Sequence, residues 1–273
     1  RTLAVKGGID QIIAISQNGG DDLHKILELS EEYHLAFRYS ADVLATHGAG
    51  LEFDTLAGVP LMEIKRTRLE GWGRVYKRIF DILGALFLII ITLPIMLLAA
   101  LAIVLDSRGP ILFRYPRVGQ GGKSFQYVKL RSMKPGTHEM RYKELKHLDI
   151  RGGPLVKFKD TDDPRITRVG RFIRKWSIDE LPEFFLVLSG KMSLVGPRPH
   201  FPEEVEQYEK HQKKVLTIKP GITGLAQISG RADLSFNEEA RLDTYYMEHW
   251  SLKLDFVILL KTPFAVLGQK GTY

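Results

Sequence analysis

Residues 82–105 read ILGALFLIIITLPIMLLAALAIVL and contain no charged side chain. As a helix at ~1.5 Å per residue, this stretch reaches roughly 36 Å, enough for the hydrocarbon core of a bilayer. Its composition marks it as a membrane segment. Pro94 lies at the midpoint, where a missing amide donor and the ring's clash with the preceding turn break or kink a helix. Arg74, Lys77 and Arg78 precede the stretch, and Arg108, Arg114 and Arg117 follow it. Basic flanks tend to stay cytoplasmic, so cations on both sides conflict with a simple crossing. The economical solution is a re-entrant helical hairpin that bends at Pro94 and returns to the face it left. A proline-kinked span is the alternative.

Outward from this segment the chain divides. Before it, DQIIAIS (10–16) reads as a strand, Leu23, Ile26 and Leu27 begin a helical stripe, and LAFRYSADV reads as a second strand. That alternation points to a parallel sheet, and one strand and one helix do not make a stable domain. Residues 1–65 are therefore read as an α/β fragment, the trailing part of a Rossmann-like domain without its glycine-rich first turn. The basic run KRTRLEGWGRVYKR (65–78) reads as linker. After the segment, seven Lys or Arg and no acid fall between Arg108 and Lys134, a strip suited to lipid or substrate phosphates. Within it, ILFRYPRV and SFQYVKLRSM flank GQGGK and read as a hairpin, whose period of two puts Lys129 and Arg131 on one face. GGKS is not a P-loop, because Arg117 stands where that motif needs glycine. The apolar tail WSLKLDFVILLKTPFAVL has the composition of a core helix or of one lying at a membrane interface.

The chain has 273 residues, 39 Lys plus Arg against 32 Asp plus Glu, and a net charge of +7. That excess implies an anionic partner without choosing among nucleic acid, phospholipid and phosphorylated substrate. The absence of cysteine excludes disulfides, thiolate metal sites and Cys nucleophiles. The eight His are scattered, with no HExxH or G-x-S-x-G motif. No signal peptide opens the chain, and Arg1 in place of Met reads as part of a longer protein.

What remains is an acid pair. In RKWSIDELPEFF (174–185), Ser177 followed by Glu180 fits a capping box; if Asp179 caps instead, Pro182 falls comfortably in the first turn. Helix capping alone accounts for such acids. Yet neighbouring residues on a helix point about 100° apart, so Asp179 and Glu180 have different directions and different tasks. A carboxylate attacks phosphorus when Arg, Lys or a hard divalent ion neutralises the phosphates. In LVGPRP, prolines on both sides of Arg198 present its guanidinium from a stiff loop. KPGITGLAQISGR (219–231) is a second turn-rich loop and ends in Arg231.

RSM (131–133), SIDELP, LVGPRP and KPGITGLAQISGR, in this order after VYKRIFD and a proline-broken apolar segment, resemble the bacterial sugar transferases, the monotopic phosphoglycosyl transferases. The resemblance covers residues 74–273, and the leading fragment resembles the Rossmann-like domain of the long members. One departure is Leu93 where a small polar residue often precedes the membrane proline, with Thr92 one place earlier. The resemblance implies four regions: a partial Rossmann-like domain (1–65), a linker and interfacial start (66–80), a re-entrant membrane helix (81–106) and a mixed α+β catalytic domain (107–273). It implies transfer of a hexose-1-phosphate from a UDP-sugar to undecaprenyl phosphate, with UMP released, on the cytoplasmic face of the bacterial inner membrane. Asp179 is then the nucleophile, and Asp179 with Glu180 holds Mg²⁺. Arg131, Arg174 and Arg198 bind phosphate, Arg231 reaches the nucleotide, and Pro94 forms the hairpin bend. A homodimer is expected from the long members, and no nucleic acid partner. The rivals are a glycosyltransferase that releases UDP and a non-catalytic membrane scaffold.

Overall fold

A computed structural model describes residues 71–137, 163–209, 212–230 and 234–267, Leu69, and in the first part the four strands below with a few positions between them. In that first part, β1 (Gln11–Ala14) and β2 (Ala36–Ser40) pair in parallel, with Gln11 opposite Ala36. This accords with the alternation of strand and helix. A hairpin of β3 (Leu51–Leu56) and β4 (Val59–Ile64) then adds antiparallel to β2, giving the order β1-β2-β4-β3. The sheet is thus mixed, a pairing that the alternation does not imply.

The apolar segment is one long helix, α1 (Trp72–Asp106), with Pro94 inside it. It begins well ahead of the uncharged stretch, inside the run read as linker. A core helix would be mostly buried, yet only 17% of the most apolar window of α1 is. Its buried positions fall into two groups, Lys77, Asp81 and Ala85 near the start and Met96, Ala99 and Ile103 near the end. Spacings of three and four put each group on one face. Between them Ile90, Ile91, Leu93, Pro94 and Ile95 are exposed. Pro94 has no amide hydrogen to donate, and two residues earlier the Thr92 hydroxyl donates to the Leu88 carbonyl at 2.7 Å, a back-bond that tends to bend helices.

Beyond α1, β5 (Leu112–Val118) and β6 (Ser124–Leu130) form the antiparallel hairpin expected from GQGGK, with Gly121 and Gly122 in the left-handed conformations such a turn needs. Next come α2 (Arg168–Lys175), α3 (Glu183–Leu188), β7 (Ser193–Val195), α4 (Pro202–Val205), β8 (Gly221–Thr223), α5 (Leu225–Ile228), α6 (Phe236–Glu248) and α7 (Leu252–Leu267). Thr167 caps α2 by accepting from the Gly170 amide, and Ser235 with Glu238 makes a capping box on α6. The main core gathers Val187, Met192, Leu194, Tyr246, Met247 and Ile258, and Ala85 of α1 belongs to it. A smaller cluster joins Ala99 and Ile103 of α1 to Leu130 and Ile173. Both ends of α1 therefore rest on the same folded body.

The tail forms α7, which buries one side and exposes apolar residues on the other. Asp255 and Ile258 are buried, while Phe256, Leu260, Phe264 and Leu267 are exposed. At the start of α1, Lys77 Nζ lies 3.1 Å from Asp81 Oδ1 and 2.8 Å from Asp255 Oδ2. Asp81 accepts from the Ser193 hydroxyl and the Leu194 amide, both at 3.1 Å. Asp255 accepts from Tyr246 at 2.7 Å and from Trp250 Nε1 at 3.2 Å. This buried network welds α1 to β7, α6 and α7.

Candidate active site

The acid pair occupies a single 3₁₀ turn, Ile178–Glu180, placed between α2 and α3. Neither capping reading holds. Ser177 adopts a left-handed backbone, φ 51°, and its side chain caps nothing; α3 starts after Pro182, with no side-chain cap. Asp179 and Glu180 thus precede the helix instead of opening it. The turn is fixed from two sides. Ile178 packs against the cluster that contains Ala99 and Ile103 of α1, and the Glu180 amide donates to the Ser177 carbonyl at 3.2 Å. The acids are therefore tied, through their immediate neighbour, to the second half of the apolar helix.

Lys129 of β6 is the residue that organises the site. Its Nζ lies 2.6 Å from Glu180 Oε1, 3.6 Å from Glu183 Oε1 and 3.9 Å from Asp179 Oδ2. Burial raises the Asp179 pKa; Lys129 draws it down, Glu180 pushes it up and Arg174 draws it down, with a net rise above the ordinary carboxylate range. Burial also works against the charge of Arg198, but Glu180, Tyr127, Glu239 and Glu183 outweigh it and strengthen the guanidinium's hold on its proton. Arg174 and Arg198 consequently share the field of the acids, as the sequence leads one to expect.

Two motifs distant in sequence meet to carry Arg198. β7 and β8 pair in parallel, Ser193 opposite Gly221 and Val195 opposite Thr223. The approach is closer than side chains permit: a Cβ on Gly221 would lie 2.1 Å from the Gly196 amide nitrogen, and one on Gly196 would lie 2.6 Å from the Lys219 carbonyl. Arg117 braces the far side of the loop, donating to the Pro199 carbonyl at 3.0 Å and stacking 3.2 Å over the Phe201 ring. The stiffness of LVGPRP thus comes from its prolines, the glycine contact and this stack together.

Arg131 sits apart from the acids' hydrogen bonds. It is buried, and its guanidinium donates to the carbonyls of Ser107 at 2.7 Å and Arg108 at 2.6 Å. It holds the chain just past the end of α1, where helix carbonyls lack partners. Arg231 lies outside the described residues. Sequence reasoning assigned no role to Lys129, Tyr127 or Glu183. The signals were present: Tyr127 and Lys129 share strand parity, and Glu183 follows Glu180 by three.

Glu183 is a buried third carboxyl that accepts a hydrogen bond from the Tyr127 hydroxyl. Burial pushes its pKa from 4.5 to about 8, against the pull of Lys129 and with the push of Glu180. The folded state holds this proton more tightly than the unfolded chain does. Its stabilising contribution is fully present below pH 4.5 and is lost as pH rises through about 8. Thermal melts of the wild type and Glu183→Gln are expected to diverge across this window, the wild type losing stability relative to the variant as pH rises. Parallel curves would show that Glu183 titrates normally.

Asp179 is thus a buried carboxyl near Lys129 and Arg174, on a turn whose Ile178 packs against α1. The profile of the family described as bacterial sugar transferase matches residues 72–269, and the chain belongs to that family. It is 41% identical over 216 residues to the undecaprenyl-phosphate galactose phosphotransferase of Salmonella typhimurium, covering 79% of this chain and 45% of that protein. It is 34% identical over 279 residues to the UDP-glucose:undecaprenyl-phosphate glucose-1-phosphate transferase of Klebsiella pneumoniae, covering 99% of this chain and 57% of that one. The chain thus spans about half the length of these two relatives. With the exopolysaccharide production protein ExoY of Sinorhizobium fredii it shares 37% identity over 205 residues, 74% of this chain and 89% of the relative. A protein little longer than the matched region therefore exists by itself.

Proposed function

We propose that this protein transfers a hexose-1-phosphate from a UDP-sugar to undecaprenyl phosphate at the cytoplasmic face of the bacterial inner membrane. This is the first membrane step in building an O-antigen, capsule or exopolysaccharide. An oxygen of the Asp179 carboxylate bonds to the sugar-bearing phosphorus, the bond to the bridging oxygen breaks, and its electron pair leaves with UMP. An oxygen of undecaprenyl phosphate then bonds to the same phosphorus, and the carboxylate of Asp179 leaves with its own electrons. Lys129, Arg174 and Arg198 neutralise the phosphates during both exchanges. The observation that carries this reading is the position of Lys129, a half-buried cation among three carboxyl groups at a turn anchored to α1.

The donors also fit Mg²⁺. Asp179 and Glu180 supply hard carboxylate oxygens, and among the described residues no group of three His, Asp or Glu side chains completes a protein-only cage. Such a pair suits an ion that takes its remaining ligands from substrate phosphates. Asp179 and Glu180 would hold it, and when bound it would neutralise diphosphate charge.

The re-entrant course of α1 is supported by its two buried ends on one body and its exposed apolar middle around Pro94. Phe172 and Trp176 of α2 and its C-cap, with Phe256, Leu260 and Phe264 of α7, add exposed apolar surface for a bilayer. Assay of the nucleotide product with UDP-galactose and UDP-glucose tests the chemistry: UMP is expected, UDP would mark a glycosyltransferase, and no product would favour the scaffold. Tags before Trp72 and after Asp106 are expected on the same cytoplasmic side; opposite sides would overturn the hairpin.

A further inference from the structure

A second cationic site lies at the start of α1, away from the acid pair. A cavity of about 480 Å³ opens there, and its lining includes the cations Arg74, Arg78 and Lys219 and the apolar Val75, Ile79 and Ile218. Two further charges at its wall, Lys77 and Asp81, are already paired with each other. Among the described residues the side chains of Arg74 and Lys219 take part in no hydrogen bond or ion pair. Arg78 donates to the carbonyls of Val187 at 2.6 Å and Leu188 at 2.7 Å, which leaves three of the five guanidinium hydrogens.

The cations converge. A Cβ placed on Gly190, which has φ +79°, would lie 3.5 Å from Arg78 Nη2 and 3.7 Å from Lys219 Nζ. The turn after α3 thus leaves a space bare of side chain between two cationic ends. Half-burial and the charge of Arg78 draw the Lys219 pKa below its ordinary value; Asp81 at the cavity wall opposes them in part, and Arg74 adds to the lowering. Arg78 stands about one helical turn ahead of Ile82, roughly 6 Å along the axis, a distance comparable to the depth of a headgroup layer. Val75 and Ile79 are exposed on the same helix.

We propose that this cavity binds the phosphate of an anionic glycerophospholipid, its headgroup between Arg74, Arg78 and Lys219 and its acyl chains leaving along Val75 and Ile79. A soluble phosphate would use the cations and leave the apolar wall idle; a lipid uses both. Bound there, the lipid neutralises the cluster and fixes the start of α1 at the bilayer surface. This site rests on the interfacial placement of α1 in the proposed function, and on no part of its chemistry.

Native mass spectrometry of the whole protein in nonionic detergent tests it, with titrations of phosphatidylglycerol, phosphatidylcholine and inorganic phosphate. The wild type is expected to bind phosphatidylglycerol more tightly than phosphatidylcholine. The Arg74→Gln/Lys219→Gln variant should lose roughly tenfold or more of the affinity for phosphatidylglycerol. Equal affinities in wild type and variant would overturn the site. So would inorganic phosphate binding that the variant loses while its lipid binding is unchanged. Should the double variant melt early, Lys219→Gln alone carries the comparison. UMP release in detergent, measured in parallel, separates the two readings: loss of lipid preference with intact UMP release sinks only this site, and lipid preference without UMP release sinks only the transferase chemistry.

Discussion

Replacing Asp179 with Asn is expected to abolish UMP release, by a factor on the order of 10⁴ or more, because the variant keeps the shape of the side chain and loses the nucleophile. The fold should survive. Asp179 is buried at 5% exposure, and its closest ion-pair approach, to Lys129, is 3.9 Å. The half-buried Lys129 keeps its 2.6 Å partner Glu180, so no cation is stranded. Intact mass makes the test direct. With UDP-sugar and no lipid acceptor, the wild type is expected to gain the mass of a hexose phosphate and Asp179→Asn to gain nothing. An adduct or sustained turnover in the variant would move the covalent step to another residue. The same carboxylate must be ionised to attack, and its pKa is raised, so the wild-type rate should fall, as pH drops, at values above the ordinary carboxylate range.

Signals that lie within one stretch of sequence were legible. The uncharged run around Pro94 announced an exposed apolar helix, and GQGGK between two alternating segments announced the β5–β6 hairpin. The early start of α1 was hidden because Trp72–Asp81 is basic and only partly apolar, and the burial of Lys77 and Asp81 depends on Asp255 and Ser193, which follow far along the chain. The β7–β8 pairing was hidden for the same reason. Its strands have three residues each, too few for a periodic signal, and glycines at 196 and 221 hold them by close approach.

At the candidate site, the grouping of charged residues was easier to read than the conformation that brings them together. Asp179, Glu180, Arg174 and Arg198 share one electrostatic environment, as their motifs imply. The capping readings failed because local rules see Ser177 and Glu180 at the right spacing. They do not see Ile178 packed on α1 or the left-handed Ser177 that the turn requires. Lys129 went unassigned because an alternating strand shows which side chains share a face and not what that face meets. Three carboxylates supply that answer only once α3 and its preceding turn are packed against β6.

Replacing Asp255 with Ala should produce the largest loss of stability, about 3–5 kcal/mol, the usual range when one partner of a buried ion pair is removed. Asp255 is fully buried and serves Lys77 at 2.8 Å, Tyr246 at 2.7 Å and Trp250 at 3.2 Å, so its removal takes an acceptor from three donors and leaves Tyr246 only the Val195 carbonyl at 3.1 Å. Lys77 keeps only Asp81, whose oxygen it shares with Ser193 and Leu194. In detergent the melting temperature should drop by on the order of 10 °C. The double variant Lys77→Met/Asp255→Leu should recover part of this, since matched apolar side chains often replace a buried pair at little cost. A loss below about 1 kcal/mol in Asp255→Ala would mean that water or neighbouring groups compensate and that the weld is weak. The consequence reaches the site. A Cβ on Gly84 of α1 would lie 2.6 Å from the Leu194 side chain, so this helix and β7 can sit together only in close register. The Arg198 loop continues from β7, and the turn bearing Asp179 leans on the other end of α1. Loosening the weld therefore shifts Arg198 and Asp179 relative to each other, and the destabilised variant should lose activity at temperatures where it is still folded.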